Sequence, residues 1–110
     1  IPYADGYDPE TSHDDPAAIE AAVEVARQAD VVLLFAGLPA PYESEGFDRE
    51  HMRLPDQHDH LIRAVCAANP RTVVILANGG AVEMPWAAAP AAIVETWLGG
   101  EAGGEAIADV

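Results

Sequence analysis

Val31-Val32-Leu33-Leu34-Phe35-Ala36, closed by Gly37, is the stretch that decides the fold. It is apolar throughout, β-branched at its start and too short for a buried helix, so it reads as a strand covered on both faces, as in a parallel sheet. Upstream, Asp15-Pro16 has the form of an N-cap followed by proline at the first helical position. Ile19, Ala22, Val23 and Ala26 then recur at helical spacing, giving an amphipathic helix to about Ala29 with Glu20 and Glu24 on its solvated side. Downstream, Leu38 to Leu54 is a long polar loop, of a length that is uncommon in a compact α/β unit and often functional. Pro55 opens a second helix with Leu61, Ile62, Val65 and Ala68 as its stripe, and Asn69-Pro70 stops it, Asn accepting a left-handed cap. Two further strands read from Thr72 to Ala77 and from Ala92 to Trp97, each followed by glycines, and Glu101 to Val110 reads as another helix. Helices alternating with apolar strands define a three-layer α/β fold with a mostly parallel sheet. Residues 1–15 read as loop or linker.

In such sheets, right-handed crossovers bring all strand C-terminal ends to one edge, and ligands bind outside it. Residues 37–55, 78–86 and 98–104 therefore gather where a site belongs. The chain's 110 residues carry 19 acidic and 5 basic side chains, a formal charge of −14, and all the basic ones are scattered arginines. No basic patch exists to neutralise phosphates, so nucleic acid is excluded as a partner and a neutral substrate is favoured. Half the residues are hydrophobic, which excludes a disordered acidic tail. No apolar run reaches the roughly 18 residues a membrane span needs. No leader is visible, so a cytoplasmic location is expected, with secretion as the alternative. The chain opens at Ile1 without Met and stops at Val110 inside a helical pattern, from which a piece of a longer polypeptide is expected. The single Cys66 reads as a small buried hydrophobe.

The long loop holds the richest chemistry: Tyr42-Glu43-Ser44-Glu45-Gly46-Phe47-Asp48-Arg49. Its carboxyl groups can exchange protons with a substrate, and Gly46 permits a turn that projects Glu45. Arg49 can bridge Asp48 or fix the loop by a forked pairing to a carboxylate. On composition alone, an acidic surface loop competes with this reading. The four histidines form no metal motif: His58 and His60 are two apart on a helix, and only Asp56 and His60 share a face. No metal or other cofactor is expected. The glycine-rich turns 78–80 and 99–104 match neither phosphate-binding fingerprint, and Glu101 would repel an anion. Trp86, after Pro85 in a strand-end loop, is either a sugar platform or a packing residue, while Trp97 reads as core.

Taken in order, these segments resemble glycoside hydrolase family 3 β-glucosidases. The resemblance is carried by Glu43-Ser44-Glu45-Gly46-Phe47-Asp48-Arg49 with Leu54-Pro55 and Gln57, by Asn69 to Val74, by Gly80-Ala81-Val82-Glu83-Met84-Pro85-Trp86, and by Glu95 to Gly104 with Ala106 to Val110. It spans about residues 17–110. It implies that residues 16–110 are a fragment of the family's C-terminal domain, a six-stranded α/β sandwich that follows a barrel domain. The barrel would supply an Asp nucleophile and be this chain's covalent partner. The resemblance further implies retaining hydrolysis of terminal β-linked sugars. Glu45, in the loop of EG-x-DR type, would be the general acid/base, with Glu43 as competitor and substrate-binding residue, Trp86 at the sugar, and Asp48 and Arg49 orienting the loop. The isolated chain would then be inactive. The competing readings are a non-catalytic α/β binding or interaction module, and a nucleotide-binding or receiver-like domain, which the absence of lysine disfavours.

Overall fold

The computed structural model describes residues 1–10, 13–46 and 48–110. Their elements are α1 (Pro16–Gln28), β1 (Val32–Gly37), α2 (Asp56–Ala68), β2 (Thr72–Ala77), β3 (Ala92–Glu95) and α3 (Gly103–Ala108). The strands form one sheet in the order β1-β2-β3. Both pairings are parallel, with Phe35 opposite Ile75 and Ile75 opposite Val94. The α/β reading and the parallel sheet are thus observed, with four elements near their expected bounds and β3 and α3 shorter.

Local chemistry explains the boundaries. Asp15 Oδ1 accepts from the N–H groups of Ala17 and Ala18 at 3.0 and 3.1 Å, satisfying two orphan donors of α1, and Pro16 follows it. Asn69 ends α2 differently from the expected left-handed cap: its backbone is extended, with φ −140°. Its side chain is what matters. Nδ2 donates to the Ala26 and Ala29 carbonyls, both at 2.9 Å, so one residue beyond α2 caps the end of α1. Oδ1 accepts from Arg71 N–H at 2.9 Å, which aims the chain into β2.

The core lies on one side of the sheet. Leu34, Ala36, Val74 and Leu76 face Leu61, Ile62, Val65 and Cys66 of α2 and Ala26 of α1, all buried. The connection between β2 and β3 returns on that same side, because Trp86 joins this cluster. Within these residues β1 is covered on one face only. Val31, Leu33 and Phe35 are 54, 60 and 53 % exposed, because α1, α2 and Trp86 all pack on the opposite face. α3 buries no residue. The opening segment is seated: Gly6 is buried and accepts from Gln57 Nε2 at 2.9 Å. Among the described residues no helix is long and apolar enough to cross a membrane.

Candidate active site

Three segments meet at the C-terminal edge of the sheet. The turn after β2 is the hub. Asn78 is buried, and its Nδ2 donates to Gly80 O at 2.8 Å and to Glu95 Oε2 at 3.3 Å, tying the ends of β2 and β3 together. Glu95 Oε1 accepts from Trp97 N–H at 2.9 Å, and Trp97 has φ 55°, a conformation that bulky residues rarely adopt. That turn at Trp97 ends β3 two residues earlier than its apolar pattern implies.

The acidic loop seats on this hub at two points. Both carboxylate oxygens of Glu43 accept from Gly79 N–H, at 2.9 and 2.8 Å. Arg49 Nη2 donates to Ala81 O at 2.9 Å. Glu45 lies between these anchors and is exposed. Among the described residues it makes no hydrogen bond or ion pair. Gly46 follows it with φ 75° and open space around its α-carbon, so the chain reverses there without strain. The two acidic candidates thus stand in different environments: Glu43 is half-buried with its carboxylate engaged, whereas Glu45 is free at the edge.

Asp48 is exposed and does not pair with Arg49, which holds a carbonyl instead of the carboxylate expected for it. Phe47 lies outside the described residues. Of the two readings open for Trp86, packing is the one observed, whereas Trp97 departs from the core position expected of it. Trp86 is 2 % exposed, and its indole Nε1 donates to Asp59 Oδ1 at 2.7 Å. It has no free face for a sugar, so its placement at the substrate is corrected. Trp97, expected in the core, is 57 % exposed at the strand-end edge. A surface depression of about 220 Å³ is lined by Tyr42, His51, Arg53 and Leu54 among others, but by neither Glu43 nor Glu45.

His58, read in the sequence only as no part of a metal motif, is buried. Its imidazole is 1 % exposed and packs on the Tyr7 ring with centroids 3.9 Å apart. Neither ring nitrogen makes a well-formed hydrogen bond. Burial pushes its pKa down to about 4, the nearby Gly37 backbone pulling weakly the other way. The only sequence signal is its place one turn before Leu61 and Ile62, on the buried side of α2. His60 and Asp14 approach to 3.7 Å in solvent. Among the described residues no three His, Cys, Asp or Glu side chains converge to hold a metal.

Residues 6–110 match the Glycosyl hydrolase family 3 C-terminal domain. The chain is 46 % identical over 108 residues to thermostable beta-glucosidase B of Acetivibrio thermocellus, covering 98 % of this chain and 14 % of that protein. It is 46 % identical over 109 residues to an exo-alpha-(1->6)-L-arabinopyranosidase of Bifidobacterium longum, again covering 98 % and 14 %. The crystal structure of the Bifidobacterium adolescentis GH3 beta-glucosidase superposes with a TM-score of 0.88 at 47 % identity, covering 96 % of this chain and 16 % of that one. The chain thus spans about one-seventh of the length of these curated relatives. With a match across nearly all of its residues and an agreeing fold, the chain belongs to glycoside hydrolase family 3, as part of the C-terminal α/β domain.

Proposed function

We propose that this chain supplies the general acid/base of a retaining glycosidase acting on terminal β-linked sugars, and that Glu45 is that group. One observation carries the choice between the two candidate glutamates: Glu45 is exposed and makes no hydrogen bond among the described residues, while both oxygens of Glu43 accept from Gly79 N–H. In the retaining reaction two carboxyl groups flank the glycosidic bond about 5–5.5 Å apart. Glu45, protonated, donates to the leaving oxygen as a second carboxylate attacks the anomeric carbon. Glu45, now ionised, takes a proton from water as that water attacks the glycosyl-enzyme, and both groups return to their starting states. The second carboxylate belongs to the remaining six-sevenths of a family-length protein, the barrel domain implied by the sequence resemblance. The sugar is set at the level of a neutral terminal glycoside, since relatives of equal identity bear beta-glucosidase and arabinopyranosidase names.

The test is a leaving-group series on the full-length enzyme. Glu45→Ala should slow alkyl β-glucosides by roughly 10²–10⁴-fold, the usual contribution of general acid/base catalysis. Activated aryl glucosides, whose leaving groups need little protonation, should lose much less in the glycosylation step. An equal loss across the series would remove Glu45 from the role.

A further inference from the structure

We propose that Glu43 is a positioning residue, which fastens the acidic loop to the glycine turn after β2 and so fixes where Glu45 stands. The inference rests on Glu45 being the acid/base and adds to it how that carboxylate is held. Glu43 is two residues before Glu45, and both its oxygens accept from Gly79 N–H. A charged acceptor makes this stronger than a neutral contact. Arg49, four residues after Glu45, holds Ala81 O from the other side. Glu45 is therefore the free crest of a loop pinned at both ends, on Gly79 and on Ala81.

The turn is shaped for this. A Cβ at Gly79 would sit 2.9 Å from Glu43 Oε1 and 2.8 Å from Leu98 Cδ1. A Cβ at Gly80 would sit 2.9 Å from Arg49 Nη2. A side chain at either position would make the flexible ends of Glu43, Leu98 or Arg49 shift, so the two glycines leave the room in which both anchors sit. Buried Asn78 then fixes the turn to Glu95, and through it to the end of β3. The anchor is thus tied to the sheet, and position matters here, since displacement of about 1 Å can cost 100-fold in rate.

The test uses the full-length enzyme with an alkyl β-glucoside. Glu43→Ala should lower kcat/KM by roughly 10–100-fold. The basic limb of the pH profile, due to the acid/base, should persist, and azide should yield no glycosyl azide. Glu43→Gln, which keeps one acceptor oxygen, should recover part of the loss. Gly79→Ala, which disturbs the same contact from the turn, should show the same loss in kcat/KM with the basic limb kept, and supplies the measurement should Glu43→Ala fold poorly. The deciding comparison is the double variant: Glu43→Ala should cost nothing further once Glu45 is Ala, because Glu43 acts only through Glu45. An equal further loss in the Glu45→Ala background, or a KM effect common to both, overturns the positioning role and leaves the Glu45 assignment standing. Azide rescue of Glu43→Ala makes Glu43 itself the acid/base and overturns both. A Glu45→Ala enzyme that keeps its basic limb and ignores azide overturns the assignment of Glu45, and the positioning role with it.

Discussion

His58 is a neutral imidazole sealed between α2 and the Tyr7 ring, and its cost is set by pH. Its folded pKa of about 4 lies below the ordinary 6.5, so the unfolded chain binds the proton more readily between those values. The stability associated with keeping it neutral is complete above about pH 6.5 and is lost as pH falls towards 4. From pH 7.5 to 5 the loss is roughly 2 kcal/mol. Unfolding midpoints at these two pH values should therefore fall more for the parent enzyme than for His58→Gln, and an identical fall in both would contradict the buried neutral state. At this scale the sequence was read unevenly. The free carboxylate before Gly46 was legible because glycine at a turn has a local cause. The tryptophans were not, because residue type and neighbours say only that an aromatic lies near a strand end. Whether it turns inward depends on Asp59, 27 residues away, for Trp86, and on a left-handed backbone at position 97.

At the scale of elements, helices and strands announced themselves through periodicity, proline and the Asp15 cap, all local signals. What stayed hidden were the fasteners between elements. Asn69 looked like a stop signal for its own helix, yet its side chain caps the other helix and starts β2. Asn69→Ala would orphan the Ala26 and Ala29 carbonyls and the Arg71 N–H at a site only 6 % exposed. It should destabilise by about 2–4 kcal/mol in urea unfolding. Asn69→Asp keeps the acceptor but loses the donor and buries a charge, so it should do no better than Ala. A loss below about 0.5 kcal/mol for Asn69→Ala would mean that water satisfies these groups. The uncovered face of β1 has a similar origin. An unbroken apolar run says that both faces avoid water, but not which part of a protein covers each.

At the scale of the molecule, the joint pattern of loops pointed to the family, which the match over residues 6–110 bears out. The isolated 110-residue chain leaves Leu33 and Phe35 more than half exposed. It should bind an apolar reporter dye and show no turnover of aryl β-glucosides, because retaining hydrolysis needs a second carboxylate about 5–5.5 Å from the first. Turnover by the pure chain that vanishes in Glu45→Ala would sink this division of labour. The most direct measurement of the central claim is the product formed by full-length Glu45→Ala from an activated aryl β-glucoside in the presence of azide. Azide needs no general base to attack the glycosyl-enzyme, so the account predicts restored turnover and a β-glycosyl azide of retained configuration. No rescue and no azide product with Glu45→Ala, and both with Glu43→Ala, would contradict it and move the catalytic role to Glu43.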